Sequence, residues 1–419
     1  MEEKIGKYER RDNCRVCGSK ELLSFLDFGD MPLAGDFRQK EALDGIKFYP
    51  MDLVVCLECS LVQIPNVVSP DIIFTDYRYL SSVTNTLMQH FKDYAMLLKR
   101  TVLPAESPFV VEFGCNDGVL LQPLKELGVK VLGVDAAENV VEVARGKGLD
   151  VIHGYFGKPV ASDILESHGK ADVITASNVF AHIDDLDEVM EGVKILLDDE
   201  GVFIIEVHYI GDLVDGFQFD TVYHEHLCYY SLSSLQSLFE KHDFKVTDVQ
   251  KLSMHGGAIR VFSKRMGSKN SKINPRVDEM YDLEKISGLR EGDTYLKFGE
   301  SVVQHRTRLQ SVIGDRRSDG RTMSAYGAAG RSTILLNYCR FDSETIDYIV
   351  DESPFRIGRY VPGVGIPIVD RKTFSEMPTD DCLITAWSYR EEIIEKESQY
   401  TRSGGTFILP LPEIEYIEG

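Results

Sequence analysis

Short apolar runs alternate along the middle of the chain with stretches whose apolar residues recur every three or four positions. Val110 to Gly118, V-V-E-F-G-C-N-D-G, reads as a buried strand running into a tight glycine turn, then a helix over Val119 to Leu127. V-K-V-L-G-V-D follows as a strand ending in Asp135, then a helix from Glu138 to Gly146, a short strand near Val151 and the strand A-D-V-I-T-A-S-N-V-F. A helix from Leu186 to Leu197, a strand from Gly201 to His208, a helix from Leu232 to His242 and strands Lys245 to Lys251 and Ala258 to Ser263 continue the series. His255 to Gly257 makes the turn between the last two. This alternation predicts an α/β sheet over about Pro108 to Lys264. The pattern restarts at M-S-A-Y-G-A-A-G-R-S-T, Met323 to Thr333, again strand, glycine turn and helix, followed by I-D-Y-I-V-D ending in Asp351. Between the two lies a charged stretch of helical period, read as a connector with a solvated face.

Length supports this division, because 419 residues exceed what one hydrophobic core usually sustains. The expected organisation is residues 1–75, 76–265, 266–320 and 321–419, the third being the helical connector. A hydrophobic content of 43% and a charged content of 27% describe an ordinary globular chain. No apolar run follows the charged segment Met1 to Asp12 and no apolar span reaches membrane length, so a cytoplasmic protein without a membrane partner is expected. A net charge of −21 argues against nucleic acid, which needs a basic face to displace counterions. An anionic small substrate would have to be met by local donors.

Four of the eight cysteines form two C-x-x-C pairs, Cys14/Cys17 and Cys56/Cys59. Two such turns complete a tetrahedral zinc site with four thiolates, which leaves no open position and makes the metal structural. The rival, two redox motifs, normally needs a helix start beside a strand, which is absent here. Cys115, Cys228, Cys339 and Cys382 read as buried small side chains.

Chemistry gathers at the strand ends. Glu112, Gly114 and Gly118 have the spacing of the E/D-x-G-x-G-x-G turn of S-adenosylmethionine (SAM) methyltransferases, with Asn116 in place of the middle glycine. Glycine lets the backbone approach a nucleotide, and Asp135 can accept from both ribose hydroxyls, a task common to NAD and SAM sites. Glu112 would repel a pyrophosphate yet suits SAM's cationic end, which favours SAM. Asn178 and His182, past the end of the following strand, face the same crevice. T-V-Y-H-E-H-L, Thr221 to Leu227, places Tyr223, His224, Glu225 and His226 together as proton-transfer equipment. If extended, Tyr223 and Glu225 share one face, and His224 and His226 the other. The spacing does not match the zinc-protease H-E-x-x-H. D-Y-R-Y-L-S-S, Asp76 to Ser82, either lines a polar pocket or docks the cysteine module on its neighbour. In the second glycine turn, Tyr326, Gly327, Gly330, Arg331, Ser332 and Thr333, helped by Arg356, form a candidate nest for a diphosphate, or else a scaffold alone.

The order of Cys14/Cys17/Cys56/Cys59, E-F-G-C-N-D-G, Y-H-E-H and Y-G-A-A-G-R-S resembles the nucleotide-sugar C-methyltransferases that branch deoxysugars, such as those methylating C-3 of TDP-linked keto sugars. The resemblance covers essentially the whole chain. It implies an α/β protein with a small zinc-binding N-terminal module, a central SAM-binding Rossmann-like domain and a C-terminal second Rossmann-like domain for the sugar nucleotide. It carries the family's active-site pattern onto Tyr79, His182, Tyr223, Glu225 and His226. The chain departs from members with lysine in the C-terminal turn, having Arg331, and from those with asparagine after the late tryptophan, having Ser388 after Trp387. In the reaction so implied, His226 removes a proton next to a sugar ketone, Glu225 orients the site, and Tyr223, Tyr79 or His182 stabilises the enolate. An O- or N-methyltransferase, or an epimerase-like nucleotide-sugar protein, is the alternative.

Overall fold

A computed structural model describes residues 5–74, 81–83, 85–104 and 106–419. The apolar runs of the middle region pair into a seven-stranded sheet. Its order across the sheet is Val151–His153, Lys130–Asp135, Phe109–Phe113, Ala171–Ser177, Leu197–His208, Ala258–Arg265 and Phe244–Leu252. The first five run parallel, and Ala258–Arg265 is antiparallel to both of its neighbours. Helices lie between successive parallel strands because their apolar residues fall on one face: Leu186–Leu196 buries Leu186, Val189, Met190, Val193 and Leu196. The side chain of Asp185 caps that helix by accepting from Glu188 N at 3.0 Å. Strand order reverses between Phe109–Phe113 and Ala171–Ser177, the place where open α/β sheets hold ligands.

The N-terminal sheet is a long hairpin, Leu22–Pro32 with Phe48–Cys56, extended by Val62–Gln63. Its fourth strand comes from elsewhere. Cys228–Tyr229, directly after the Y-H-E-H segment, pairs antiparallel with Val62–Gln63. The C-terminal sheet has the order Ile368–Val369, Tyr348–Val350, Met323–Tyr326, Asp381–Ile384, Thr406–Leu409 and Glu415–Ile417, parallel except for the last strand.

Residues 266–320 do more than connect. Helix Gly292–Ser318 buries Tyr295, Phe298, Val302, Leu309 and Ile313, and lies so close to Leu22–Pro32 that a Cβ on Gly299 would stand 1.9 Å from Phe25 O. Its far end holds the C-terminal sheet, where Arg316 Nε donates to the buried Asp381 at 2.6 Å. Among the described residues no helix is long and apolar enough to cross a membrane.

Candidate active site

Beyond Phe109–Phe113 the chain folds back through three residues of positive φ, Gly114 at 66°, Asn116 at 50° and Gly118 at 82°. Sterics require glycine at the outer two. A Cβ on Gly114 would lie 2.0 Å from Val179 Cγ2, and one on Gly118 2.1 Å from Leu149 Cδ1. Asparagine tolerates the left-handed region and here uses its side chain, Oδ1 accepting from Ser81 N at 3.0 Å and from Asp117 N at 2.9 Å. Ser82 Oγ donates to Asp117 Oδ2, so the described end of the Asp76–Ser82 segment docks on the glycine turn. Tyr79 lies outside the described residues.

Asp135 fixes the turn from the neighbouring strand tip, Oδ2 accepting from Asn116 N at 2.8 Å and Oδ1 from Ala137 N at 2.9 Å. Glu112 is 2% exposed, and burial pushes its carboxyl well above the usual range, with Asp135, Glu206 and Asp117 adding to the effect. Two strands away, burial acts to raise the pKa of Glu206, but His90 Nε2 at 2.8 Å and Arg260 Nε at 2.6 Å outweigh it and the carboxyl titrates low. The Arg260 guanidinium lies 3.8 Å over the Tyr94 ring, and Tyr94 bonds Thr175. Glu112 Oε2, Ser177 Oγ and Asn178 Oδ1 have no hydrogen-bond partner among the described residues. They stand near the carboxyl ends of the two strands flanking the reversal point.

The Y-H-E-H segment is not extended, which corrects the sequence expectation of alternating faces. His226 N donates to Tyr223 O at 2.9 Å and closes a turn. The turn brings Tyr223 and His226 together, phenol oxygen to Nε2 at 3.0 Å with ring centroids 4.1 Å apart. His224 points the other way. It is 1% exposed, its Nε2 donates to the carbonyls of Tyr49 and Pro50 at 3.2 and 3.3 Å, and burial lowers its pKa to about 4. It is therefore a neutral docking residue. The His226 ring meets His182 at 5.0 Å and His208 at 5.1 Å between centroids. His182 follows Asn178, itself at a φ of 58°, and donates from Nδ1 to Glu225 O at 2.5 Å; burial lowers its pKa. Burial raises the Glu225 carboxyl to about 7. A carboxyl poised near neutrality can accept and return a proton, although it is the Glu225 backbone carbonyl and not the carboxyl that His182 bonds.

The second glycine turn is engaged by protein groups. Arg331 forms a bidentate pair with Asp220, Nε to Oδ2 at 3.0 Å and Nη2 to Oδ1 at 2.9 Å, and Trp387 Nε1 also donates to Asp220 at 2.8 Å. Thr333 Oγ1 donates to Ala34 O at 3.1 Å, Ser332 Oγ donates to Gly327 O, and Tyr326 reaches Glu397 at 3.1 Å within the C-terminal core. Arg356 pairs with Asp351 at 3.1 Å. Gly327 needs its φ of 101°, since a Cβ there would meet Ala386 Cβ at 2.3 Å. Between this turn and the histidines runs Leu33 to Phe37: a Cβ on Gly330 would lie 3.4 Å from Ala34, and one on Gly35 4.0 Å from Glu225 Oε1. The four cysteine sulfurs all lie within 4.8 Å of one another, Cys14 to Cys59 at 3.4 Å and Cys17 to Cys56 at 3.5 Å. A zinc tetrahedron with bonds of about 2.3 Å has edges of roughly 3.8 Å, so the set fits the ion.

Three family descriptions match consecutive parts of the chain: a zinc binding domain over residues 14–74, a methyltransferase domain over 85–249 and a C-methyltransferase C-terminal domain over 253–412. The C-methyltransferase NovU of Streptomyces niveus is 36% identical over 96% of this chain and 96% of its own. The chain belongs to the C-methyltransferase family. A ubiquinone biosynthesis O-methyltransferase of Bartonella quintana is 28% identical over 25% of this chain and 43% of its own. Among solved structures the chain is similar to the magnesium protoporphyrin IX methyltransferase of Synechocystis, at 14% identity and a TM-score of 0.34 over 46% of this chain and 91% of that one.

This C-methyltransferase is SAM-dependent, and its N-terminal module binds zinc through the cysteine cluster. The residues fit the methyl donor: a backbone cradle that admits no Cβ, a carboxylate at the next strand tip, and polar atoms left without protein partners around the reversal point. The sequence reading missed Glu206 and His208, although the strand-end rule that singles out Asn178 applies equally to G-V-F-I-I-E-V-H. Leu33 to Phe37 and Asp220 gave no signal, because what places them is contact with distant segments.

Proposed function

We propose that this C-methyltransferase acts on a nucleotide-linked 4-keto deoxysugar, with TDP as the carrier, and methylates the carbon next to the ketone. The observation that carries the reading is the Tyr223–His226 pair set against His182, His208 and Glu225 at the carboxyl edge of the cofactor sheet. Carbon becomes nucleophilic only when an adjacent proton is removed and the enolate oxygen is held. His226 is the base, and Tyr223 is the enolate donor, a role worth roughly 3 kcal/mol for one preorganised hydrogen bond. His182, bonded to the Glu225 carbonyl, keeps the turn against the cofactor strand, and Glu225 orients the sugar. SAM, held by Glu112, Gly114, Asn116, Gly118, Asp135 and Asn178, supplies the electrophilic methyl group. The nucleotide carrier is met by the second glycine turn, with Tyr326, Gly327, Gly330, Ser332, Thr333 and Arg356 shaping it and Arg331 as its cation.

Incubation with SAM and a panel of TDP- and GDP-linked 4-keto sugars, read by mass and by carbon-13 NMR, tests this. A new carbon–carbon methyl on a TDP sugar is expected; a methyl on oxygen or nitrogen, or no product from any sugar, overturns the substrate reading. With His226→Asn, solvent deuterium entry at the carbon next to the ketone should fall at least about 100-fold, as for loss of a positioned base. Undiminished entry removes His226 from that role.

A further inference from the structure

The two C-x-x-C knuckles each connect to a segment that carries one of the two facing histidines. In the first, Arg15 lies between Cys14 and Cys17 and is 3% exposed, an unusual place for a guanidinium. Its Nε donates to Asp184 Oδ1 at 2.8 Å, two residues past His182. Its Nη1 donates to Gln63 Oε1 at 3.1 Å and to Ile64 O at 2.8 Å, and its backbone N to Gln63 Oε1 at 3.2 Å. In the second knuckle, Cys56 N donates to Leu61 O at 2.9 Å, and the chain runs straight into Val62–Gln63. That strand carries Cys228–Tyr229, and Ile64 N donates to Leu227 O at 2.9 Å, the residue after His226. Gln63 is fully buried and closes the ring by donating from Nε2 to Asn13 O at 3.2 Å.

We propose that Arg15 and Gln63 are positioning residues through which the zinc knuckles set the placement of His182 against His226. The proposal rests on the reading of those histidines as the proton-transfer site. A buried guanidinium costs free energy unless its donors are paired; Arg15 pairs Nε and Nη1 while Nη2 has no partner among the described residues, and the directed bonds of the paired donors specify one geometry where an apolar contact would allow several. The network ends on both sides within two residues of a histidine. With four thiolates gathered on one ion, Cys14 and Cys59 are held together and the Arg15–Gln63 link is kept; with the knuckles parted, the two histidine segments keep their direct bond from His182 Nδ1 to Glu225 O but lose the brace from the knuckle side. A displacement of about 1 Å at a reacting group can cost on the order of 100-fold in rate.

The test uses the full-length, zinc-loaded chain with Arg15→Lys, Arg15→Met and Gln63→Leu. Zinc content by chelator release and SAM affinity by calorimetry are expected to match wild type within about twofold, with kcat on the TDP-4-keto sugar reduced about 10- to 100-fold at an unchanged KM for SAM. Hydrogen exchange of the amides in residues 62–64 and 227–230 should quicken at least tenfold in Arg15→Met, and likewise in zinc-stripped wild type. Arg15→Lys keeps the charge without the planar fork and serves where Arg15→Met does not fold. Unchanged kcat and exchange in a folded variant overturn the proposal. So does a parallel fall of SAM affinity and kcat, which marks a general fold brace. If wild type turns over none of the sugars, the substrate reading fails while the exchange measurements still decide whether the knuckles govern the histidine turn.

Discussion

Replacing Arg331 with alanine separates its two candidate jobs. The Asp220 side chain has no exposure, that of Arg331 22%, and without the guanidinium the carboxylate keeps the indole N–H of Trp387 at 2.8 Å as its side-chain donor among the described residues. Removing one partner of a buried ion pair costs about 3–5 kcal/mol, and the partial exposure of Arg331 favours the lower end. At roughly 2–4 °C per kcal/mol for a unit of 150–250 residues, Arg331→Ala should lower Tm by about 6–12 °C. The double variant Asp220→Asn with Arg331→Met leaves no unpaired charge and should recover most of that, ending within about 1 kcal/mol of wild type. Thermal unfolding of the substrate-free protein measures the first quantity, and calorimetric TDP binding the second: the double variant should be stable yet bind TDP at least tenfold more weakly. A wild-type Tm in Arg331→Ala would refute the reasoning, since Asp220 could not then be a buried carboxylate dependent on this partner.

Gly114→Ala meets both a positive φ and a Cβ 2.0 Å from Val179 Cγ2, so strain of about 1–3 kcal/mol adds to overpacking of similar size. SAM affinity should fall at least tenfold, and Val179→Ala in the same chain should restore part of it; affinity equal to wild type in the single variant argues against the cradle. Because folding raises the Glu225 pKa to about 7 from about 4.3, the folded state holds a proton that the unfolded chain releases, and this group's contribution declines as pH rises from about 4.3 to 7. Glu225→Gln should match wild type in unfolding free energy near pH 4.5 and exceed it above pH 7, by up to about 3–4 kcal/mol; a constant difference across that window contradicts the burial argument. Cys56→Ser should drop zinc below one per chain and lower Tm by at least about 10 °C, structural zinc being worth on the order of 10 kcal/mol in small modules. Metal-free wild type with an unchanged Tm would count against the site.

The fold was legible where one strand and its neighbours share a rule. The central parallel strands, Phe109–Phe113, Ala171–Ser177 and Leu197–His208, are buried over most of their length and so appear as apolar runs, and the glycine turns announce themselves because Gly114, Gly118 and Gly327 admit no Cβ. Glu112, Asp135 and Asn178 stand at or just past the ends of such runs, where the pattern puts them. Helix Gly292–Ser318 was harder, because its exposed charges dilute a stripe that nevertheless buries Tyr295, Phe298 and Ile313 between two sheets. Its role depends on what it packs against, which no window of the chain contains.

The histidine turn shows the limit more sharply. T-V-Y-H-E-H-L reads naturally as alternation, and period-two reasoning assigns His224 and His226 to one side. The single hydrogen bond from His226 N to Tyr223 O reverses that assignment, and the turn is held from outside, by Cys228–Tyr229 on Val62–Gln63 and by His224 on Tyr49 and Pro50. Residue types therefore name candidate proton donors and acceptors, while their pairing is stored in contacts between segments far apart in the chain. The same holds for Asp220, an ordinary residue in sequence that becomes the partner of Arg331 only because the 3₁₀ turn Phe219–Thr221 meets the start of Gly330–Tyr338. A local pattern can name proton donors and acceptors; which of them face one another is decided by the sheet that the last strand joins.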